Sequence, residues 1–368
     1  MSDNRKRYRT IKQSLKQLYP HEPQGNQARH LTTLAALISG IVGSRSCQLP
    51  DIASKVPDGN KKESRVKRYT RWLQNERITS DVYFLPYAAE LLATLATTQS
   101  LLLAIDGSEV GRGCMALMIS VIYKQRALPL VWVVVAQAKG HLAEEQHVQL
   151  LAQAQALVPA GATVIVVGDG EFDGVTWQAT LQSYGWEYVC RTAKNVQLGE
   201  ADAETLAPFE TVNVQPGECI ALFDVTFSQQ LYGPVLAIAW WDAAYKQPIY
   251  LVSNMALCAE ACYWYRRRYR IETFFSDQKS RGFNLQKSHL TDPTRLARLL
   301  IATCLAYIWI VYLGVVAQRD KWVRVIHRTE RCDLSLFQLG LELLEHLLNE
   351  GLPIPVAFKV PVMSESVR

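Results

Sequence analysis

Several common signatures are missing from this sequence, and each absence excludes a class of protein. Its eight cysteines (Cys47, Cys114, Cys190, Cys219, Cys258, Cys262, Cys304 and Cys332) include no Cys-x-x-Cys pair. Cys258 and Cys262 have no second ligand pair at zinc-site spacing, which argues against a small zinc module and for free thiols in a reducing compartment. Low-complexity tracts and internal repeats are absent, so neither a disordered chain nor a repeat array is expected. The first 18 residues are rich in Arg and Lys and hold no apolar stretch, which excludes a signal peptide and predicts a cytoplasmic protein. The pair Gly168-x-Gly170 stops short of the dinucleotide fingerprint, which argues against a nucleotide-binding enzyme.

At 368 residues, the chain is long enough for one large core with smaller appendages. One run, residues 299–317, carries no charge over 19 positions and is long enough to cross a bilayer. It is solitary, contains Thr303, Tyr307, Tyr312 and Gly314, and follows a polar segment, which suits a helix buried between a sheet and another domain. The net charge of +5 is unevenly spread: residues 1–80 hold 16 Lys or Arg against 6 Asp or Glu. That basic end has the footprint of a module for a polyanion, although a solvated basic face would have the same charge.

Periodicity predicts helices over 31–42, 50–56 and 62–75, a spacing compatible with a helix-turn-helix. In the third helix Arg65, Lys67, Arg68 and Arg71 interleave with Val66, Tyr69, Trp72 and Leu73, so one face can pack while the other meets phosphates. Strands are expected at 101–106, 115–123 and 129–136, then a helix at 144–157, a strand at 163–168, a helix at 175–184 and a strand at 186–191. The order βββαβαβ is that of a ribonuclease-H-like α/β core. Residues 196–255 read as a β-rich insertion, and helices resume afterwards, the last opening on a Ser335-x-x-Gln338 capping box. The expected organisation is a helical N-terminal DNA-binding region (1–95), a first part of the core (96–195), the β-rich insertion (196–255), a second part of the core (256–320) and a helical C-terminal region (321–368).

Two acids are predicted to close strands, Asp106 after Leu-Leu-Leu-Ala-Ile and Asp169 after Val-Ile-Val-Val-Gly. Glu171 and Asp173 compete with Asp169, which is preferred because it directly ends its strand. A cluster of His141, Glu144, Glu145 and His147 offers metal-ligating types, but acids at a helix start more simply favour the helix dipole. Farther along, Tyr265, Arg268, Glu272 and Lys279 fall at offsets 0, 3, 7 and 14, which on one continuous helix project within about 60° of each other. Trp264, Ile271, Phe274 and Phe275 form an adjacent apolar stripe. Asp277, two residues before Lys279, points away from the polar one.

This spacing, Tyr-x2-Arg-x3-Glu-x6-Lys, resembles the signature of the IS-four family of bacterial insertion-sequence transposases, to which the Tn-five transposase belongs. Ala-Ile-Asp106-Gly-Ser, Gly-Asp169-Gly-Glu-Phe-Asp173, Tyr-Leu-Val-Ser-Asn254 and Ser335-Leu-Phe-Gln-Leu-Gly340 are also similar to family segments, so the resemblance runs from about residue 30 to 350. It implies a metal-binding and catalytic triad of Asp106, Asp169 and Glu272, with Tyr265, Arg268 and Lys279 holding DNA near the cleaved phosphate. A family Trp in the insertion stacks on an extruded base; Trp240 and Trp241 both lie in the right region, and Trp241 is taken as the candidate.

Three carboxylates suit phosphodiester chemistry, because two Mg²⁺ ions, or Mn²⁺ in their place, need anionic oxygen ligands. The activity so implied is cleavage at transposon ends and strand transfer into target DNA, in a nucleoid-associated bacterial enzyme that self-associates into a synaptic dimer on its terminal inverted repeats, with no membrane role. The alternative is a catalytically inactive, transposase-derived DNA-binding protein.

Overall fold

The computed structural model describes residues 2–19, 21–137, 140, 142–200, 205–327 and 332–361. Six helices come first: α1 (Asp3–Lys16), α2 (Gly25–Ser44), α3 (Leu49–Ser54), α4 (Lys62–Gln74), α5 (Ser80–Tyr83) and α6 (Leu85–Ala96). The first of these is missed by periodicity, because only Ile11 and Leu15 give its mostly polar sequence a buried apolar side. Arg7 is buried with them and donates from Nε to the Ser39 carbonyl at 2.9 Å, locking α1 onto α2.

Next come β1 (Leu101–Gly111), β2 (Cys114–Tyr123), β3 (Arg126–Val135), α7 (Glu144–Gln155), β4 (Val164–Gly168), α8 (Val175–Ser183) and β5 (Glu187–Thr192). They are followed by β6 (Gln197–Glu200), β7 (Ala207–Pro208), β8 (Cys219–Phe227), β9 (Tyr232–Trp240) and β10 (Ile249–Ser253). Among the described residues all ten strands join one sheet, in the order β3-β2-β1-β4-β5-β10-β9-β8-β6-β7. The first three form an antiparallel meander, whereas β1, β4 and β5 run parallel. The strands at 196–255 extend the same sheet, because β10 pairs antiparallel with β5. Ser253 and Asn254 clamp this junction: the Ser253 hydroxyl donates to the Tyr188 carbonyl at 2.6 Å, and the Asn254 amide oxygen accepts from the Tyr188 N–H at 2.8 Å.

The chain closes with α9 (Cys258–Tyr265), α10 (Arg270–Gln278), α11 (Pro293–Arg319), α12 (Val323–Ile326) and α13 (Leu336–Asn349). The charge-free run forms the centre of α11, the one helix among the described residues that is long and apolar enough to cross a membrane, with a mean hydropathy of 2.4 over its best window. That window is 94% buried within the fold. Helix α11 is apolar all round because β3, α2, α4 and α13 surround it, the pattern of a core helix. The capping box forms: Ser335 Oγ accepts from the Gln338 N–H, and the Gln338 side chain accepts from the Ser335 N–H.

Helices α11 and α13 cross at glycines. A Cβ on Gly340 would collide with the Ile310 carbonyl, and one on Gly314 with that of Leu336, so only hydrogen fits at the crossing. Gly340→Ala is therefore expected to cost about 1–3 kcal/mol through overpacking. Urea denaturation measures this, and an unchanged midpoint would contradict the close approach.

Asp277 faces the core, 3.1 Å from Arg126 at the start of β3. Burial pushes its carboxyl up to about 6 against the pull of Arg126. Because the folded value lies above the unfolded one of about 3.9, the associated stability is present at low pH and is lost as pH rises through about 6. Arg126→Met leaves this carboxylate unpaired, at a cost on the order of 3 kcal/mol near pH 7.5 and distinctly less at pH 5, where the acid protonates. Equal losses at the two pH values would show that Asp277 is not the group responsible.

Candidate active site

Strand register brings the two aspartates together. Leu101 to Ala104 of β1 pair in parallel with Val164 to Val167 of β4, and continuing this register sets Asp106 level with Asp169. The same continuation from β4 to β5 sets Asp169 level with Arg191. Asp169 follows its strand directly, as expected. Asp106 does not close β1, which runs on to Gly111 because β2 continues to pair with it. The acid nonetheless lies where β1 and β4 part, and parallel sheets open a crevice at such carboxyl-terminal edges.

The segment from Tyr265 to Lys279 is not one continuous helix, contrary to the sequence expectation. Helix α9 stops at Tyr265, residues 266–269 form a turn, and α10 starts at Arg270. The projection over 14 residues therefore fails as geometry, and Lys279 is the residue that caps α10 rather than part of its stripe. Tertiary packing converges the groups instead. Arg268, in the turn, lies with Nη1 3.4 Å from Asp106 Oδ2 and donates from Nη2 to Glu272 Oε1 at 2.8 Å. Lys279 Nζ donates to Ser108 Oγ of β1 at 2.7 Å. Tyr265 is buried beside Arg268. The buried face of α10, Ile271, Phe274 and Phe275, docks on the meander, each side chain contributing about 1.5–3 kcal/mol of burial.

The electrostatics are those of anions crowded together. Burial pushes the Asp106 carboxyl up to about 7, the carboxylates of Asp169 and Glu272 push the same way, and Arg268 opposes them. Burial also lowers the Lys279 ammonium from its ordinary value. An open cleft of about 820 Å³ leads away from the acids, lined by Asp169, Arg191, Lys194, Gln247, Tyr250 and Arg268. Glu171 and Glu210 also line it, and Lys194 is paired with Glu210 at 2.6 Å, so Arg191 and Arg268 supply its positive charge. Arg191 was not singled out from sequence; its position at the edge of the strand beside Asp169 is the signal that would have found it.

The competing acids have structural partners. Glu171 Oε1 accepts from the Leu142 N–H at 2.7 Å, and Asp173 Oδ2 accepts from the Thr192 hydroxyl at 2.5 Å. Glu144 Oε1 accepts from the Trp177 N–H at 2.8 Å in the first turn of α8, and His147 is buried against Phe172 and Trp177. His141 lies outside the described residues.

Of the four basic residues singled out in α4, Arg65 and Arg68 are turned inward to Asp58, each at 2.6 Å, and Arg65 also donates to the carbonyls of Ala53 and Asn60. Shared use of one carboxylate fixes them as supports of the loop before α4. Lys67 and Arg71 remain exposed, and Arg71 borders a groove of about 510 Å³ between α2 and α4 together with Arg29 and His30. Trp240 is buried at the end of β9 under the Arg266 guanidinium, 4.7 Å from the ring centroid, whereas Trp241 is half-buried.

Comparison with known proteins gives a family. Residues 94–309 match the family described as the transposase DDE domain, more than half of the chain and the whole of the site. No curated protein matches. Similar solved structures include a piggyBac transposase synaptic complex with hairpin DNA, with 11% identity, a TM-score of 0.47, and coverage of 98% of this chain and 85% of that one. They also include Ciona intestinalis endonuclease V in complex with a 24mer DNA, with 12% identity, a TM-score of 0.28, and coverage of 50% of this chain and 86% of that one. The catalytic domain of human endonuclease V has 12% identity and a TM-score of 0.26, with coverage of 62% of this chain and 93% of that one. On the strength of the match over residues 94–309, this chain belongs to the transposase DDE domain family.

Proposed function

We propose that this transposase cuts DNA at the ends of its element and joins the freed ends to target DNA, with Asp106, Asp169 and Glu272 as the metal-binding carboxylates. The observation that carries the reading is the convergence of three acids from distant parts of the chain on one edge of the sheet, two by strand register and the third through the Arg268 bridge. The antiparallel meander followed by parallel β4 and β5 supports a ribonuclease-H-like core, and the Tyr265, Arg268, Glu272 and Lys279 spacing supports the IS-four branch of the family.

The donor set fits hard divalent cations. All three ligands are carboxylates, and the positive groups that act on Asp106 include Arg268 and Lys279. Two Mg²⁺ or Mn²⁺ ions held there would activate the attacking hydroxyl and stabilise the departing oxyanion. Arg268 pairs with both Asp106 and Glu272, and Tyr265 is buried beside it. Arg191 and Arg268 line the approach with positive charge suited to a DNA backbone, with Lys279 beside β1. Trp241 is the more accessible tryptophan for stacking on a base. The exposed Lys67 and Arg71 would contact the terminal repeat through the N-terminal helices, and a dimer on paired ends would complete the synapse.

The full-length protein, mixed with a duplex carrying the terminal repeat of its own element, is expected to cleave in Mg²⁺ and to stop in EDTA. Glu272→Gln keeps size and hydrogen bonding but loses the charge, so cleavage should fall about a hundredfold or more while end binding survives. Wild-type rates in this variant would overturn the triad, and a wild-type protein that binds the repeat without cutting it in Mg²⁺ or Mn²⁺ would favour the inactive DNA-binding alternative.

The two faces of α4 separate in a salt titration. Lys67→Ala combined with Arg71→Ala should lower the slope of log affinity against log salt by roughly 0.9 for each phosphate that is no longer neutralised. Arg65→Ala should instead reduce stability, because it removes a support of the loop at Asp58. An unchanged slope in the double variant would place the duplex elsewhere.

A further inference from the structure

Away from the carboxylates, the fold assembles a second group of metal-ligating side chains that spacing along the sequence does not reveal. Cys258 opens α9 and Cys262 follows one helical turn later, so both thiols lie on the same side of the helix. The third member, Cys219, comes from the first position of β8, 39 residues before Cys258. Its Sγ lies 3.4 Å from that of Cys258 and 3.9 Å from that of Cys262, and all three sulfurs fall within 4.8 Å of one another. Four-coordinate zinc with Zn–S bonds of about 2.3 Å requires sulfurs about 3.8 Å apart, close to what the chain presents. The separations are well beyond the ~2.0 Å of a disulfide, and the three cysteines are free thiols.

We infer that Cys219, Cys258 and Cys262 form a thiolate site for a thiophilic divalent cation, Zn²⁺, with the fourth coordination position open to solvent. Among the described residues no fourth Cys, His, Asp or Glu joins the cluster. Burial is graded from Cys262, buried, through Cys258, half-buried, to Cys219, exposed, which gives the ion a path in from the surface. Binding exchanges three S–H bonds for three metal–sulfur bonds and releases three protons, with no change of oxidation state. The ion would tie β8, and through it β9, to the start of α9. Arg266, at the end of that helix, lies over the Trp240 ring of β9, so the tie would brace the segment that leads into Arg268.

This site is independent of the carboxylate cluster in residues and in metal preference, since thiolates select soft or borderline ions and carboxylates select hard ones. The test is Co²⁺ titration of the reduced, chelator-treated full-length protein without oxygen. Tetrahedral ligand-field bands and a thiolate-to-cobalt charge-transfer band are expected, saturating at one ion per chain and erased by Zn²⁺. Cys219→Ser, at an exposed position that tolerates the change, should weaken binding at least about tenfold and remove about a third of the charge-transfer intensity. Cys258→Ser should do the same. Cys332→Ser should leave the spectrum intact, and so should Asp106→Asn, because a carboxylate site gives no sulfur charge transfer. Absence of the charge-transfer band from the wild type would overturn the inference, as would an unchanged spectrum and affinity in Cys219→Ser.

Discussion

The parallel pairing of β1 with β4 is the constraint on which the carboxylate cluster depends. Parallel strands cannot be joined by a tight turn, so residues 136–163, with α7, must carry the chain back to the same end of the sheet. Because the two paired runs, Leu101 to Ala104 and Val164 to Val167, are buried along their whole length, sliding one past the other would draw a flanking polar residue such as Thr163 or Asp169 into the apolar layer. The cost of sliding is thus set by the core, and the positions of Asp106 and Asp169 follow from it. Neither acid needs an interaction of its own to reach the other.

Holding two carboxylates together raises the free energy of the ionised state, and the surroundings limit that cost without removing it. Asp106 accepts from the Gly107 N–H at 2.8 Å, and Asp169 accepts from the Glu171 N–H at 3.1 Å. Arg268 supplies a cation that touches both Asp106 and Glu272. The loop after β4 is tied down by other means: Asp173 to Thr192, Glu171 to the Leu142 N–H, and Glu144 to the first turn of α8. Of these four acids Asp169 and Glu171 line the cleft, whereas Glu144 and Asp173 serve only as turn and cap partners. Side chains already used as turn and cap partners leave little freedom for the loop to relax, so the repulsion at the sheet edge persists as a preference for added positive charge.

What could be read in the sequence was whatever depends on local order. Strands β1 to β5 and helices α7 and α8 lie within a few residues of where alternation and apolar runs put them, because buried strands declare themselves by composition. Spacing singled out Tyr265, Arg268, Glu272 and Lys279, but it did not give their geometry. The break at residues 266–269 is a tertiary effect: α9 packs along β4 and β5 and α10 along β1 to β3, and one straight helix cannot follow both. The inward turn of Arg65 and Arg68 depended on Asp58 folding back on the helix that follows it. The meeting of Cys219 with Cys258 and Cys262 depended on β8 reaching the sheet through β9 and β10. Asp58 lies only seven residues before Arg65, so its role is a matter of loop conformation; the cysteine meeting spans 39 residues, which no local window contains.

The same distinction explains why so apolar a helix as α11 belongs to a site made of charges. Glu272 is more than half exposed, and its direction is decided by the opposite face of α10. There Phe274 meets the Tyr307 ring edge-on at a centroid distance of 4.9 Å, and the Gln278 amide donates to the Thr303 carbonyl at 3.3 Å, both partners lying on α11. Helix α11 is in turn gripped by α13 through the glycine crossing, and Arg298 ties it to the carbonyls of Leu73 and Ile78 around the end of α4. Rotating α10 enough to carry Glu272 away from Arg268 would pull Phe274 and Phe275 out of this packing, at several kcal/mol for two aromatic side chains. The Arg268 to Glu272 pair, at an exposed carboxylate, is worth far less than that. Packing therefore sets the position of the third acid, and the ion pair reports that position rather than creating it.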